Sequence, residues 1–317
     1  MNRTTRFIAL LVCVLMAVFV IGCKGEDTEK QADAKEIRVA VILKTLSSPY
    51  WQTVLSGAKE AESALGIKIE AFGPPTEDGV EEQINMVQNA INNNFDAIVF
   101  SPCQPPAAIP VLGQAKAAGI PVIIIDTPMP AEFSDYVTYI GSNNVQIGVL
   151  AAETLIKAVP DKNAVIMIIE GAPGNPSTTE RADGAIKTFE AAGYKIFDRQ
   201  PGYSDRERAF SVMQNALQRQ KQFDIVLCSN DDMAEGAYRA LSQAGVQAKV
   251  IGVDGNTSAK ESVRDGGLFA TVAQDAAGMG RLGVENAVKY LNGDTSMPKK
   301  IDAPSPVITK ENVAEYL

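Results

Sequence analysis

An internal repeat limits what this chain can fold into more than any other feature. Residues 95–101 read Phe95-Asp96-Ala97-Ile98-Val99-Phe100-Ser101, and residues 223–229 read Phe223-Asp224-Ile225-Val226-Leu227-Cys228-Ser229. Each is a short apolar run of the kind that forms a buried strand. After the first run an alanine-rich segment closes at Ala118-Gly119, and Pro121-Val122-Ile123-Ile124-Ile125 leads to Asp126. After the second, Met233, Ala237 and Leu241 recur at helical spacing, Ala244-Gly245 marks a stop, and Val250-Ile251-Gly252-Val253 leads to Asp254. In both copies the aspartate stands 31 positions after the phenylalanine. A strand, a crossover helix and a second strand in that length form a βαβ unit. Ligands of open parallel sheets bind beyond the carboxyl ends of the strands. The repeat therefore predicts two similar lobes, each a parallel sheet flanked by helices, with Asp126 and Asp254 on opposite walls of one cleft.

A length of 317 residues agrees, since it exceeds what one core usually supports. Residues 1–22 read as a signal peptide: Arg3 and Arg6 give the positive start, and an apolar stretch from Phe7 to Ile21 follows, too short to span a bilayer comfortably. It ends Val20-Ile21-Gly22-Cys23, which resembles the lipobox of bacterial lipoproteins and implies lipidation of Cys23. The alternative is an ordinary secretory signal with an incidental cysteine. Both place the protein on the periplasmic or cell-surface side, and the lipobox adds a membrane anchor. The polar run over 23–35 reads as a flexible tether.

The first lobe is expected over 36–140 plus about 275–303, and the second over 141–274 plus about 304–317. Strands are predicted at 37–43, 67–72, 136–140, 164–169, 194–197 and 268–273 besides those of the repeat. Helices are predicted at 49–65, around Val80, Ile84, Val87 and Ile91, and at 145–158, 177–192, 206–218 and 276–291. Crossings near Gly141-Ser142, Gln274 and Pro304 make a three-segment hinge suited to closure over a ligand.

The formal charge of −9 becomes two units more negative once Arg3 and Arg6 leave with the signal, which argues against nucleic acid or anionic lipid as main partner. The chain has no histidine, so every Ser-His-Asp or Cys-His arrangement is excluded. Nothing forms a metal cluster, and no cofactor motif is present: Gly171-Ala172-Pro173-Gly174 lacks the ending of a phosphate loop. Cys103 and Cys228 fall at strand ends in different lobes. A bridge there would lock the lobes, so two buried free thiols are expected; a disulfide is the alternative that an oxidising compartment permits.

Strand-end turns facing the cleft supply the candidate site: Lys44, Tyr50, Trp51, Asp126, Arg181, Asn230, Asp254 and Gln274. Carboxylates accept pairs of hydrogen bonds from neighbouring hydroxyls, Lys, Arg and Asn donate back, and aromatic faces pack on the C–H faces of a sugar ring. As a set they suit a small polyhydroxylated molecule. Each has a plainer reading as well. Asp254 before Gly255 and Asp126 before Thr127-Pro128 are common turn residues, Asn230 is a ready helix cap, Arg181 sits on an amphipathic helix, and Tyr50 and Trp51 could pack between lobes.

From Glu36 onward the chain resembles the sugar-binding periplasmic proteins of the ribose and allose type, which serve ABC importers and have the type I periplasmic binding protein fold. The residues that carry the likeness are Leu43-Lys44-Thr45-Leu46-Ser47-Ser48-Pro49-Tyr50-Trp51, Ser229-Asn230-Asp231-Asp232-Met233-Ala234, Gly252-Val253-Asp254-Gly255 and Ala270-Thr271-Val272-Ala273-Gln274, in family order and spacing. The resemblance implies that the eight candidates line a sugar site. Ser48 stands where the family has Asn, and Thr127 where the ribose type has Arg. Ser204 falls opposite the family's stacking aromatic, with Tyr203 one place early. Ser48 therefore joins the ligand-binding candidates, with Thr127 and Tyr203 behind it. The run Gly73-Pro74-Pro75-Thr76-Glu77 looks more like relatives that bind furanose-like signals or other polyols.

The expectation is a monomeric solute-binding lipoprotein that passes a monosaccharide or related polyol to the membrane subunits of an ABC permease, with no catalysis and no cofactor. The alternative is a sensor that presents its bound ligand to a chemoreceptor or sensor kinase. A glycoside hydrolase built on two facing carboxylates and a transcription regulator of the same fold are the remaining readings; the secretion signal stands where the latter would need a DNA-binding helix pair.

Overall fold

The computed structural model describes residues 36–317. The predicted signal peptide, the Cys23 lipidation point and the tether to residue 35 lie outside the described residues.

Two six-stranded sheets organise the chain. The first holds β1 (Arg38–Ile42), β2 (Lys68–Phe72), β3 (Ala97–Phe100), β4 (Val122–Ile125), β5 (Tyr139–Gly141) and β11 (Lys300–Asp302), in the order β2-β1-β3-β4-β5-β11. The second holds β6 (Ile166–Glu170), β7 (Ile196–Pro201), β8 (Ile225–Cys228), β9 (Lys249–Asp254), β10 (Ala270–Ala273) and β12 (Val307–Thr309), in the order β7-β6-β8-β9-β10-β12. The two orders are the same pattern. All pairings are parallel except that of β12 with β10. In both sheets the order reverses beside the first strand, and such a switch point opens a crevice at the carboxyl ends of the strands.

Parallel sheets are covered on both faces, so their central strands are apolar throughout rather than alternating. Val39 and Val41 of β1 face a core with α1 (Pro49–Leu65) and α9 (Ala276–Leu291). Their neighbours Ala40 and Ile42 face the opposite core with α2 (Val80–Asn92) and α3 (Pro105–Ala117). In the second sheet Val226 and Cys228 meet α6 (Arg206–Arg219), α7 (Asp231–Gln243) and α8 (Thr257–Asp265). Ile225 and Leu227 meet α4 (Asn144–Ala158) and α5 (Pro176–Ala191). Cys103 and Cys228 are both buried free thiols.

The chain passes between the sheets after β5, after β10 and between β11 and β12, which gives the three-segment hinge. Four elements differ most from the pattern-based reading. The edge strand β7 begins two residues later than expected and runs on to Pro201. The N–H of Tyr194 still bonds back to the Phe189 carbonyl, and Gly193 is left-handed at φ 87°, so the chain is finishing α5 where the strand was expected. Pro201 is tolerated because β7 lies at the sheet edge. The helix α8 and the three-residue strands β11 and β12 have no counterpart in that reading.

Candidate functional site

The site forms where strand ends of the two lobes face each other. A space of about 290 Å³ is lined there by Lys44, Ser48, Tyr50, Trp51, Glu77, Asp126, Asn175, Ser177, Thr178, Arg181, Ser204, Asn230, Asp254 and Gln274. A second space of about 550 Å³ adjoins it toward solvent and shares Ser48, Glu77 and Ser204.

In the first lobe, Lys44 follows β1 and is only 1% exposed. Its Nζ lies 3.5 Å from Asp126 Oδ2 and donates across the cleft to Ser177 Oγ at 3.5 Å. Asp126 follows β4 with a left-handed backbone, φ 61°. Its carbonyl is pinned by the Tyr139 hydroxyl at 2.9 Å, and its carboxylate accepts from Tyr50 at 2.9 Å and from Thr127 Oγ1 at 2.6 Å. Burial alone would raise the Asp126 carboxyl; Lys44, Arg181 and the two hydroxyls outweigh it and hold the group below the usual range. Burial and the Asp126 charge push the Tyr50 phenol well above its ordinary value, which keeps it a donor. Pro49 opens α1 at its first turn, where a missing N–H costs nothing, and this puts Tyr50 and Trp51 on the cleft side. Their rings meet edge to face at 4.9 Å, and the indole Nε1 donates to Glu77 Oε1 at 2.7 Å.

In the second lobe, Arg181 is 3% exposed and ties four segments together. It donates from Nε to Asn144 Oδ1, from one terminal nitrogen to the Ser229 carbonyl and from the other to Gln274 Oε1, each at 2.9 Å. Its guanidinium also lies 3.8 Å from Asp254 Oδ1, which accepts from Gln274 Nε2 at 2.9 Å. The plainer reading of Arg181 as a surface residue is thus excluded. Asp254 ends β9 with φ 126°. Burial and the neighbouring Asp231 push its carboxyl well above the ordinary value, against the pull of Arg181. Asn230 does both things foreseen for it: Oδ1 caps α7 by accepting from the Met233 N–H at 3.0 Å, and the residue lines the cleft.

Nine sequence-predicted residues therefore converge on one lining: Lys44, Ser48, Tyr50, Trp51, Asp126, Arg181, Asn230, Asp254 and Gln274. Thr127 is buried behind Asp126, with its hydroxyl 3.4 Å from Ser177 Oγ. Tyr203 belongs to the outer space, where its ring lies 4.7 Å beneath the Arg208 guanidinium. Sequence reasoning did not single out Glu77, Asn175, Ser177, Thr178 or Ser204 as lining residues. A signal existed for three of them: Asn175-Pro176 is a helix cap followed by a first-turn proline, and Asn175 Oδ1 accepts from both the N–H and the hydroxyl of Ser177.

Two lobes of one strand order, three hinge passages and a polar cleft at the switch points define the type I class of periplasmic binding proteins. A family model described as a periplasmic binding protein domain matches residues 39–295, and the chain belongs to that family. It is 31% identical over 254 residues to the D-allose-binding periplasmic protein of Escherichia coli K12, covering 78% of this chain and 82% of that one. It is 29% identical to the ribose import binding protein of Bacillus subtilis 168, covering 96% of this chain and 99% of that one. A solved ABC transporter periplasmic solute binding protein from Actinobacillus succinogenes 130z, with bound D-allose, matches it with a TM-score of 0.81 at 30% identity, covering 89% of this chain and 100% of that one.

Proposed function

We propose that this protein captures a monosaccharide or related polyol between its lobes and delivers it to the membrane subunits of an ABC permease. The observation that carries the reading is the buried ring of alternating donors and acceptors in the cleft, Lys44 with Asp126 on one wall and Arg181 with Gln274 and Asp254 on the other, beside the Tyr50–Trp51 pair. Such a ring presents charge-assisted partners to several hydroxyls of one small molecule. A ligand that bonds both walls at once favours the closed form by its differential affinity for that form. The cleft holds its ligand without transforming it. The relatives named above support an extracytoplasmic location, and the lipobox sequence ending at Cys23 supports a lipid anchor.

The test is a titration of the purified protein with pentoses, hexoses, inositols and their amino counterparts. Tryptophan emission and calorimetry are read together. Trp51 is the only tryptophan of the chain, so the optical signal has one source. Saturable binding of one compound is expected, and Asp254→Ala weakens it by about tenfold or more, since a hydrogen bond within a charged network is worth roughly 1.5–3 kcal/mol. No saturable heat with any compound overturns the reading. An unchanged midpoint in Asp254→Ala removes that residue from the site.

A further inference from the structure

The loop between β2 and α2 brings into the cleft a carboxyl that has no cation of its own. Three other acids at this edge have a cation: Asp126 has Lys44, Asp254 has Arg181, and Asp232 has Arg206. Glu77 is in no ion pair among the described residues. Its bonded partner is the indole N–H of Trp51, 2.7 Å from Oε1. The cleft thus holds two cation–carboxyl pairs, Lys44 with Asp126 and Arg181 with Asp254, and one carboxyl, Glu77, outside any pair.

The position of Glu77 is built. Pro74 and Pro75 stiffen the loop, and the Pro75 carbonyl accepts from Thr45 Oγ1 at 3.1 Å and from Ser47 Oγ at 3.4 Å. Asp78, the next residue, is tied to Arg208 of the other lobe at 2.9 Å. A second, independent observation comes from the facing wall. Ser204 is 9% exposed and lines the same space, and its buried Oγ, though near enough to act on Glu77, makes no hydrogen bond of normal geometry. It is held there at a conformational cost, because Tyr203 and Ser204 are consecutive left-handed residues, each at φ 58°. An unsatisfied buried hydroxyl and a carboxyl without an ion-pair partner in one lining suit a group that donates several hydrogen bonds and carries positive charge. A sugar hydroxyl supplies the first property and not the second; a primary ammonium supplies both.

We propose that the ligand of this cleft is a monosaccharide or polyol bearing a primary ammonium group, which Glu77 and Ser204 receive from opposite walls. The proposal rests on the sugar-binding reading above and narrows it. Burial holds the Glu77 carboxyl above the usual range, against the pull of Lys44, of the indole N–H and of the nearby Ser204 hydroxyl, and an arriving cation relieves that cost. Glu77 then acts as the specificity-determining residue, while the Lys44, Asp126, Arg181 and Asp254 ring serves the hydroxyls common to neutral and amino ligands.

Calorimetry on matched pairs tests this: D-glucose with D-glucosamine, D-galactose with D-galactosamine, and myo-inositol with an amino-deoxy-inositol. The wild-type protein is expected to prefer the amino member of the pair it binds by tenfold or more. Glu77→Gln keeps the size of the side chain and should reduce that preference at least tenfold, and Ser204→Ala should reduce it less, in the same direction. Matched melting curves show that both variants fold. A neutral compound bound as tightly as its amino partner, with a ratio that Glu77→Gln leaves in place, overturns the ammonium proposal and leaves the sugar-binding reading standing. No binding by any of the six compounds or the wider panel overturns both.

Discussion

Asp231 lies behind the cleft, buried completely, where it fixes the turn that presents Asp254. One carboxyl oxygen accepts from the Asn256 N–H at 2.8 Å and the other from Thr271 Oγ1 at 2.7 Å. Burial pushes this group up to about 8, despite both hydrogen bonds. The folded state therefore binds a proton on Asp231 that the unfolded chain, with an ordinary aspartate near ~3.9, has already lost. The resulting stabilisation is complete below about pH 4 and drains away as pH rises to about 8, by no more than ~1.4 kcal/mol per pH unit from this one group. Asp231→Asn keeps the shape, can still accept from the Asn256 N–H through its oxygen while its nitrogen donates to Thr271 Oγ1, and removes the titration. Urea unfolding of both proteins from pH 5 to pH 8 should show the variant gaining on the wild type as pH rises, whereas parallel curves would exclude the buried proton. At this scale the sequence was informative about identity and silent about conformation. The repeat marked Asp126 and Asp254 by position alone, yet their backbones are left-handed, φ 61° and 126°, and the Asp126 carbonyl is held by a bond from another strand, the Tyr139 hydroxyl. Glu77 escaped notice because a carboxylate in a proline-braced loop looks like any solvated loop residue until the opposite lobe covers it.

Helix pairs set the spacing on which those residues depend. A Cβ on Gly57 of α1 would fall 1.9 Å from the Ala277 carbonyl oxygen of α9, and one on Gly148 of α4 would fall 2.0 Å from the Arg181 carbonyl oxygen of α5. Backbone, not a flexible side chain, would have to move in both cases. Gly57→Ala and Gly148→Ala should each destabilise by about 1–3 kcal/mol, with melting lowered by roughly 2–4 °C per kcal/mol. Only Gly148→Ala displaces the segment that carries Arg181, so it should weaken ligand binding the more. Equal losses of affinity in the two variants would refute this coupling. Strongly patterned elements were legible because burial enforces their period: the apolar runs of β1, β3, β4, β8 and β9 and the spaced face of α1 are examples. Weakly buried ones were not. In α8 the residues Ala259 and Val263 alone are buried, and its remaining positions are polar. The strands β11 and β12 have three residues each, too few to show a period.

Closure of the whole molecule is held at the mouth as well as in the cleft. Arg208 of the second lobe donates to Asp78 of the first at 2.9 Å, and Ser48 Oγ donates to Asp232 Oδ2 at 3.0 Å. Arg208 and Asp78 are partly exposed, with side chains 45% and 34% accessible, so solvent screens the pair and its worth is about 0.2–1 kcal/mol. Asp78→Ala, Arg208→Ala and the double variant should therefore all release ligand faster by a similar factor, no more than about fivefold, in stopped-flow displacement at low salt. The difference should vanish near ~1 M salt. Single effects that add in the double variant would show that the pair is not coupled. The order of the strands has a consequence for how such a chain is made. The first lobe receives α9 and its edge strand β11 only after five of the six strands of the second sheet have been written, and each sheet takes its last strand from residues 300–309. Until the ribosome has passed Ala276 neither lobe is complete, and the face of the first sheet that α9 covers stays open. A chain ordered in this way remains threadable until synthesis is almost over, which suits a product that must cross a membrane before it folds.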